Sequence, residues 1–208
     1  MLLVDHTIKD FAHLLGSDAP APGGGSTAAL EGVLGASLLK MVGLLTSGRK
    51  KYAEHQAFVE ELIEEAEKIQ ADFLLVIDED TEAFNQVSAV FSMPKDTDEE
   101  KAARKEAMQE GLKACTKTPY KMMQLCQRAM DITVVAVDKT NTNTASDLGV
   151  AALSLKAAVQ GAWLNILINI GGIEDTAFVE EYRAAGEAIL AKVLPAADSV
   201  YEAVVKSL

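Results

Sequence analysis

A chain of 208 residues of which 49% are hydrophobic is long enough to bury one good core, and a single domain over residues 1–208 is the simplest partition. Its formal net charge of −12 argues against nucleic acid or an anionic membrane surface as partner. Cys115 and Cys126 form no Cys-x-x-Cys pair and His6, His13 and His55 show no ligand spacing, so neither a metal centre nor a redox cofactor is expected.

Only 5% of the residues are aromatic, while Ala, Leu, Val, Glu and Lys dominate, a composition of packed helices rather than of sheets. The amino-terminal Met1–His6 carries no basic segment, long apolar run or cleavage site, which predicts an unprocessed cytoplasmic protein. A first helix is expected from Thr7, with Asp10 as capping partner, Phe11, Leu14 and Leu15 inward and Gly16 as its stop. The run Pro20-Ala21-Pro22-Gly23-Gly24-Gly25-Ser26 follows. Three glycines admit backbone conformations and close approaches that side chains forbid, and Ser26 is expected to cap the next helix. Such a loop either presents free N–H groups and a positive helix end to an anion, or simply lets two helices pack closely. It has neither the Gly-Lys-Ser/Thr ending of a phosphate loop nor the preceding strand of a dinucleotide fold, which excludes those two motifs and argues against a nucleotide site.

The second helix, Ser26 to about Thr46, is studded with small residues from Ala28 to Gly43, and Glu31 and Lys40 mark it as a buried soluble helix rather than a membrane span. Arg49-Lys50-Lys51 is the most compact cationic cluster, either a solvated helix end or an anion contact. Apolar residues then recur at helical spacing from Tyr52 to about Phe91, with Phe58, Leu62, Ile69, Phe73, Val76, Phe84 and Val87 inward. Met93-Pro94 breaks this helix, and Thr97 with Glu100 opens a charged one. Thr118-Pro119 reads as the start of a further helix. A polar loop spans residues 139–144, Ser146 is expected to cap a helix ending at Gly171-Gly172, and Asp175 opens a last helix kinked at Pro195. With no strand pattern, the fold class is all-α, a single-domain bundle of long, partly kinked helices.

Within the acidic run 78–80, Glu79 is expected to be solvated, whereas Asp80 falls on the apolar stripe set by Val76, Ile77, Phe84 and Val87. A carboxylate there is costly unless paired or hydrogen-bonded, and desolvation raises its pKa. Asp80 is therefore either a general acid/base or a satisfied structural residue. In the helix after Ser146, Asp147, Ala151, Ser154, Ala158, Gly161, Asn165 and Asn169 share a small-and-polar face. Asp147 and Asn165, about 27 Å apart at 1.5 Å per residue, cannot flank one reacting atom. Asn165 and Asn169 form an amide pair, either a hydrogen-bond ladder or a ligand contact.

Four stretches together resemble the cyclodeaminase/cyclohydrolase family of folate enzymes, which includes the C-terminal domain of the bifunctional formiminotransferase–cyclodeaminase. They are Pro20–Ser26, Met41–Tyr52, Asp78–Asn85 with Met93-Pro94-Lys95, and Asn141–Asp147 with Leu164–Asn169. The resemblance implies a helical, two-fold symmetric assembly, a homodimer or dimer of dimers, acting on a tetrahydrofolate derivative without a cofactor. It implies either a 5,10-methenyltetrahydrofolate cyclohydrolase or a 5-formiminotetrahydrofolate cyclodeaminase; a non-catalytic adaptor or folate-binding protein is the alternative of another class. The site it implies has Asp80 and Asp147 as catalytic groups. Its substrate contacts would be Pro22, Gly23, Gly24, Gly25, Ser26, Lys50, Lys51, Phe84, Asn141, Asn143, Ser146, Asn165 and Asn169. Leu167 departs from the family's habit of placing a basic residue between the two asparagines.

Overall fold

The structure, a computed structural model, describes residues 2–208. Met1, with the expectation of an unprocessed amino terminus, lies outside them. The described residues form six α-helices joined by short turns, with no strand among them. Helix α1 (Ile8–Leu15) is capped as its sequence predicts: Thr7 Oγ1 accepts the Asp10 N–H at 3.1 Å and Gly16 ends the helix. Phe11 and Leu14 lean on the core from half-buried positions.

Helix α2 (Gly24–Leu44) begins two residues earlier than expected. Its N-cap is Gly23, in extended conformation, and Ser26 lies inside the first turn with its hydroxyl turned to a neighbouring helix. The cap expected of Ser26 is thus replaced by an interhelical bond. α2 is the central element, packed on one side against α3 and on the other against α5. Its small residues make this possible: a Cβ on Gly35 would stand 2.8 Å from Leu155 Cγ, and one on Gly161 of α5 2.9 Å from Ala28 Cβ.

Helix α3 (Gln56–Val90) is preceded by a 3-10 turn over Lys50–His55, in which Tyr52 leaves helical geometry (φ −115°, ψ 17°), so the long helix starts later than its spacing predicts. Leu62, Ile69, Phe73 and Val76 are fully buried, whereas Phe84, expected inward, is 39% exposed. Helix α4 (Asp98–Ala136) opens on a complete Thr97–Glu100 capping box. It then runs unbroken through Pro119, and the helix start expected at Thr118-Pro119 does not occur. A proline inside a helix removes the bond to the carbonyl four residues back, here Cys115, and α4 tolerates this because Asn169 Nδ2 donates to that carbonyl at 2.8 Å.

Helix α5 (Ala145–Ile170) has Thr144 at its N-cap; Ser146 is already helical and exposed, so it caps nothing. Gly171 ends α5. Helix α6 (Thr176–Ser207) is capped by Asp175, whose Oδ1 accepts the Phe178 N–H at 3.1 Å, and it continues through Pro195. α4 packs across α3, α5 and α6, and α5 also against α6. Phe73, Leu39, Met122, Met123, Leu155 and Ile166 form the dry centre. Burial of each such side chain contributes about 1.5–3 kcal/mol, and this packing holds the chemistry-bearing ends of the helices in place.

Candidate active site

The amino end of α2 abuts α3 at the acidic run, and the three carboxylates there have different surroundings. Asp78 Oδ1 accepts the Leu3 N–H at 2.6 Å and straps the amino-terminal turn to α3, while Glu79 pairs with Lys121 at 2.9 Å. Asp80 instead faces α2. Ser26, with no exposed surface, donates its hydroxyl to Asp80 Oδ2 at 3.0 Å and lies 3.2 Å from Thr81 Oγ1. Gly25 is required for this approach, because a Cβ at that position would overlap the Asp80 carboxylate.

Burial is the largest influence on Asp80 and holds its carboxyl above the ordinary carboxylate range; hydrogen bonds from the Ser26 hydroxyl and backbone pull the other way. No cation contributes to this balance among the described residues. Gly24, Gly25 and Ser26 are the first residues of α2, so their N–H groups have no intrahelical acceptor and carry the positive end of the helix dipole. The combination is a desolvated carboxyl beside fixed N–H donors. It opens on a cleft of 260 Å³ whose walls include Gly23, Gly24, Asp80, Thr81, Phe84, Cys115, Asn165, Ile168 and Asn169. The half-buried Cys115 thiol is pushed up to about 11 by burial, with Asp80 adding to the shift, so it faces the cleft protonated at neutral pH. A larger cavity of 720 Å³ lies between the amino-terminal turn, α3 and α4; of its three carboxylates Asp78 and Glu79 are already engaged and Glu82 is exposed.

The structure gathers Gly23, Gly24, Gly25, Asp80, Phe84, Asn165 and Asn169 around one cleft. Pro22 is buried behind it, with Pro20 and Ala21 on the cleft wall instead, and Ser26 reaches Asp80 rather than the open space. Asn165 Nδ2 donates to Gly161 O at 2.8 Å, and Asn169 Nδ2 to both Asn165 O and Cys115 O at 2.8 Å, so the ladder uses both donors of Asn169 and one of the two of Asn165. Lys50, Lys51, Asn141, Asn143, Ser146 and Asp147 lie at the other end of the bundle, about 30 Å away along the 21 residues of α2. Asp147, in the first turn of α5, therefore shares no reacting atom with Asp80 within one chain.

That distant end has an order of its own. The Asn141 N–H donates to Thr46 Oγ1 at 2.9 Å and Asn141 Nδ2 to Leu45 O at 3.1 Å, tying the polar loop to the carboxyl end of α2. The Thr142 N–H donates to Tyr52 Oη at 3.0 Å; Thr142's hydroxyl and backbone, with Lys51 nearby, bring the phenol down to about 8. Lys51, Tyr52, Asn141 and Thr142 border a 400 Å³ cavity there. Sequence reasoning missed Thr81, Cys115, Ile168 and Tyr52. Ile168 was within reach, since it follows Asn165 by three residues on one helix face; Cys115 was hidden by the break expected at Pro119.

A bundle that aims a desolvated carboxyl and free helix amides into one cleft has the geometry that a small-molecule enzyme site requires. A family model described as formiminotransferase-cyclodeaminase matches residues 7–188. The chain is 40% identical over 200 residues to methenyltetrahydrofolate cyclohydrolase of Methylorubrum extorquens, covering 96% of each chain. It is 34% identical over 181 residues to formimidoyltransferase-cyclodeaminase of Rattus norvegicus, covering 87% of this chain and 34% of that protein. It thus spans about a third of the length of that bifunctional relative. The fold matches a crystal structure of formiminotetrahydrofolate cyclodeaminase from Thermotoga maritima with a TM-score of 0.84 and 24% identity, covering 98% of this chain and 96% of that one. The chain belongs to the formiminotransferase-cyclodeaminase family and is an enzyme of folate one-carbon metabolism.

Proposed function

We infer that this chain is a 5,10-methenyltetrahydrofolate cyclohydrolase, and the observation that carries the reading is Asp80, a desolvated carboxyl without a counter-cation at the amino end of α2. The substrate carbon lies between N5 and N10 in a cationic amidinium. Ionised Asp80 stabilises that charge and takes a proton from the attacking water as the C–O bond forms. The tetrahedral oxygen is held by the Gly24 and Gly25 N–H groups. Asp80 then returns its proton to N5 as the carbon–N5 bond breaks, the remaining hydroxyl proton leaves to solvent, and 10-formyltetrahydrofolate is released. Hydration changes no oxidation state, so the residues present suffice without a resident redox cofactor, and we place the activity in the cytoplasm.

The 34% identity to formimidoyltransferase-cyclodeaminase over 181 residues favours a second reading, 5-formiminotetrahydrofolate cyclodeamination, in which N10 attacks the formimino carbon and ammonia leaves. Both pass through the same tetrahedral carbon. Loss of the near-ultraviolet absorbance of methenyltetrahydrofolate at a rate proportional to enzyme supports the first. Decay at the buffer rate together with ammonia release from the formimino substrate supports the second.

We further propose that the working unit is a homodimer across the outer face of α2 and α5. Leu34, Leu45, Leu164 and Ile168 are 52%, 42%, 66% and 77% exposed there, and both helices are long and apolar enough by composition to cross a membrane. An apolar face of this kind needs a cover. A two-fold axis running α2 antiparallel to its copy brings the Lys51 end of one chain level with the Asp80 end of the other, where the cations meet the glutamate tail of the folate.

A further inference from the structure

We propose that Asn169 is a positioning residue that sets the width of the Asp80 cleft by holding α5 to the one carbonyl of α4 that Pro119 leaves without a helical donor. This rests on the cleft being the active site. Pro119 is buried in the middle of α4 and has no N–H, so the Cys115 carbonyl, four residues earlier, has lost its in-helix partner. Asn169 Nδ2 supplies the missing donor at 2.8 Å, and its second proton goes to Asn165 O at 2.8 Å. With both donors committed, the amide has only its oxygen left for a ligand.

The bond links two walls of the same cleft. Cys115 stands on α4, and Asn165, Ile168 and Asn169 on α5, all bordering the space that Asp80 faces. No other side-chain hydrogen bond among the described residues joins α4 to α5 beside this cleft; Gln109 Nε2 to Gly172 O lies beyond the end of α5. Helices held only by apolar contacts can slide, whereas a directional bond to a fixed carbonyl sets one register. Proline and asparagine thus act as a pair: the proline exposes an acceptor inside a helix, and the asparagine uses it as a docking point.

The pairing predicts that Asn169 matters only while Pro119 is present. Ala at position 119 restores an N–H to the Cys115 carbonyl and removes the docking point. The test is a double-mutant cycle of Asn169→Ala and Pro119→Ala, read by turnover of methenyltetrahydrofolate and by the rate of Cys115 alkylation at one fixed pH. Cys126, fully buried, is the silent control. In the parent background Asn169→Ala should lower kcat/KM about tenfold and speed Cys115 alkylation at least about threefold; in the Pro119→Ala background both effects should shrink to less than about twofold. Pro119→Ala alone should lower kcat/KM and speed Cys115 alkylation to about the extent that Asn169→Ala does, because it removes the same docking bond. If Asn169→Ala does not fold, Asn169→Ser removes the same donor with less lost volume. An alkylation rate that Asn169→Ala leaves unchanged, or changes equally in both backgrounds, overturns the proposal, and so does an equal loss of turnover in both. A parent with no turnover but with the alkylation cycle as described overturns the cyclohydrolase reading and leaves the positioning role standing.

Discussion

At the scale of single residues, the balance at Asp80 fixes how it responds to its neighbours. Burial raises its pKa and Ser26 lowers it, so Ser26→Ala should move the acidic limb of the kcat/KM profile to higher pH. A limb that stays in place or moves down would mean that another group sets it. The raised pKa also has a cost in stability. Between the unfolded-state pKa and the higher folded one, the folded protein binds more protons than the unfolded chain, so stability falls as pH rises through that window. Asp80→Asn removes the desolvated charge, so its melting temperature at pH 7 should exceed the parent's, and the gain should vanish below about pH 4, where the unfolded-state carboxyl is protonated. A variant that melts lower than the parent at pH 7 would show that Asp80 is held for structural reasons. Tyr52 offers an independent check at the other end: of the four tyrosines, one should ionise near 8 in an ultraviolet titration, and Thr142→Val should move it upward.

At the scale of elements, the three glycines are not equivalent. A Cβ at Gly24 meets only Asn165 Nδ2 at 3.7 Å, whereas one at Gly25 overlaps Asp80. Gly24→Ala should therefore leave the melting temperature unchanged or raise it, since Ala is favoured in a helix by about 1 kcal/mol over Gly, while Gly25→Ala should displace Asp80 and lower activity by about tenfold or more. Equal effects of the two substitutions would make the loop a plain helix connection. The same elements show how far the sequence could be read. Periodicity placed Asp80 on the inner stripe of α3, and the Thr7, Thr97 and Asp175 caps were legible because a cap is a local hydrogen bond. Ser26 and Thr118-Pro119 were misread because their partners are distant in sequence: Ser26 is turned by Asp80 on α3, and Pro119 is tolerated through Asn169 on α5. Local rules assign caps and breaks correctly only where no tertiary donor or acceptor competes.

At the scale of the whole molecule, the expected site residues separate into two groups at the ends of α2, a split that helix rise shows for Asp147 and Asn165 but that the sequence does not show for Lys50, Lys51, Asn141 and Asn143. Their separation and the uncovered α2–α5 face have a common resolution in the homodimer proposed above. Sedimentation equilibrium at micromolar concentration should return twice the 22.2 kDa chain mass. Leu34→Glu with Leu164→Glu should return the single-chain mass without loss of helicity, because both positions are exposed in the isolated chain. A fully active protein of 22.2 kDa would remove both the dimer and the shared cleft.

The central claim is that Asp80 moves the proton in ring opening, and single-turnover decay of methenyltetrahydrofolate absorbance with Asp80→Asn tests it most directly. With folate binding retained, the rate should fall by about 10²-fold or more. A rate within about threefold of the parent would contradict the account, leaving Asp80 as a buried structural carboxyl and the proton transfer to another group.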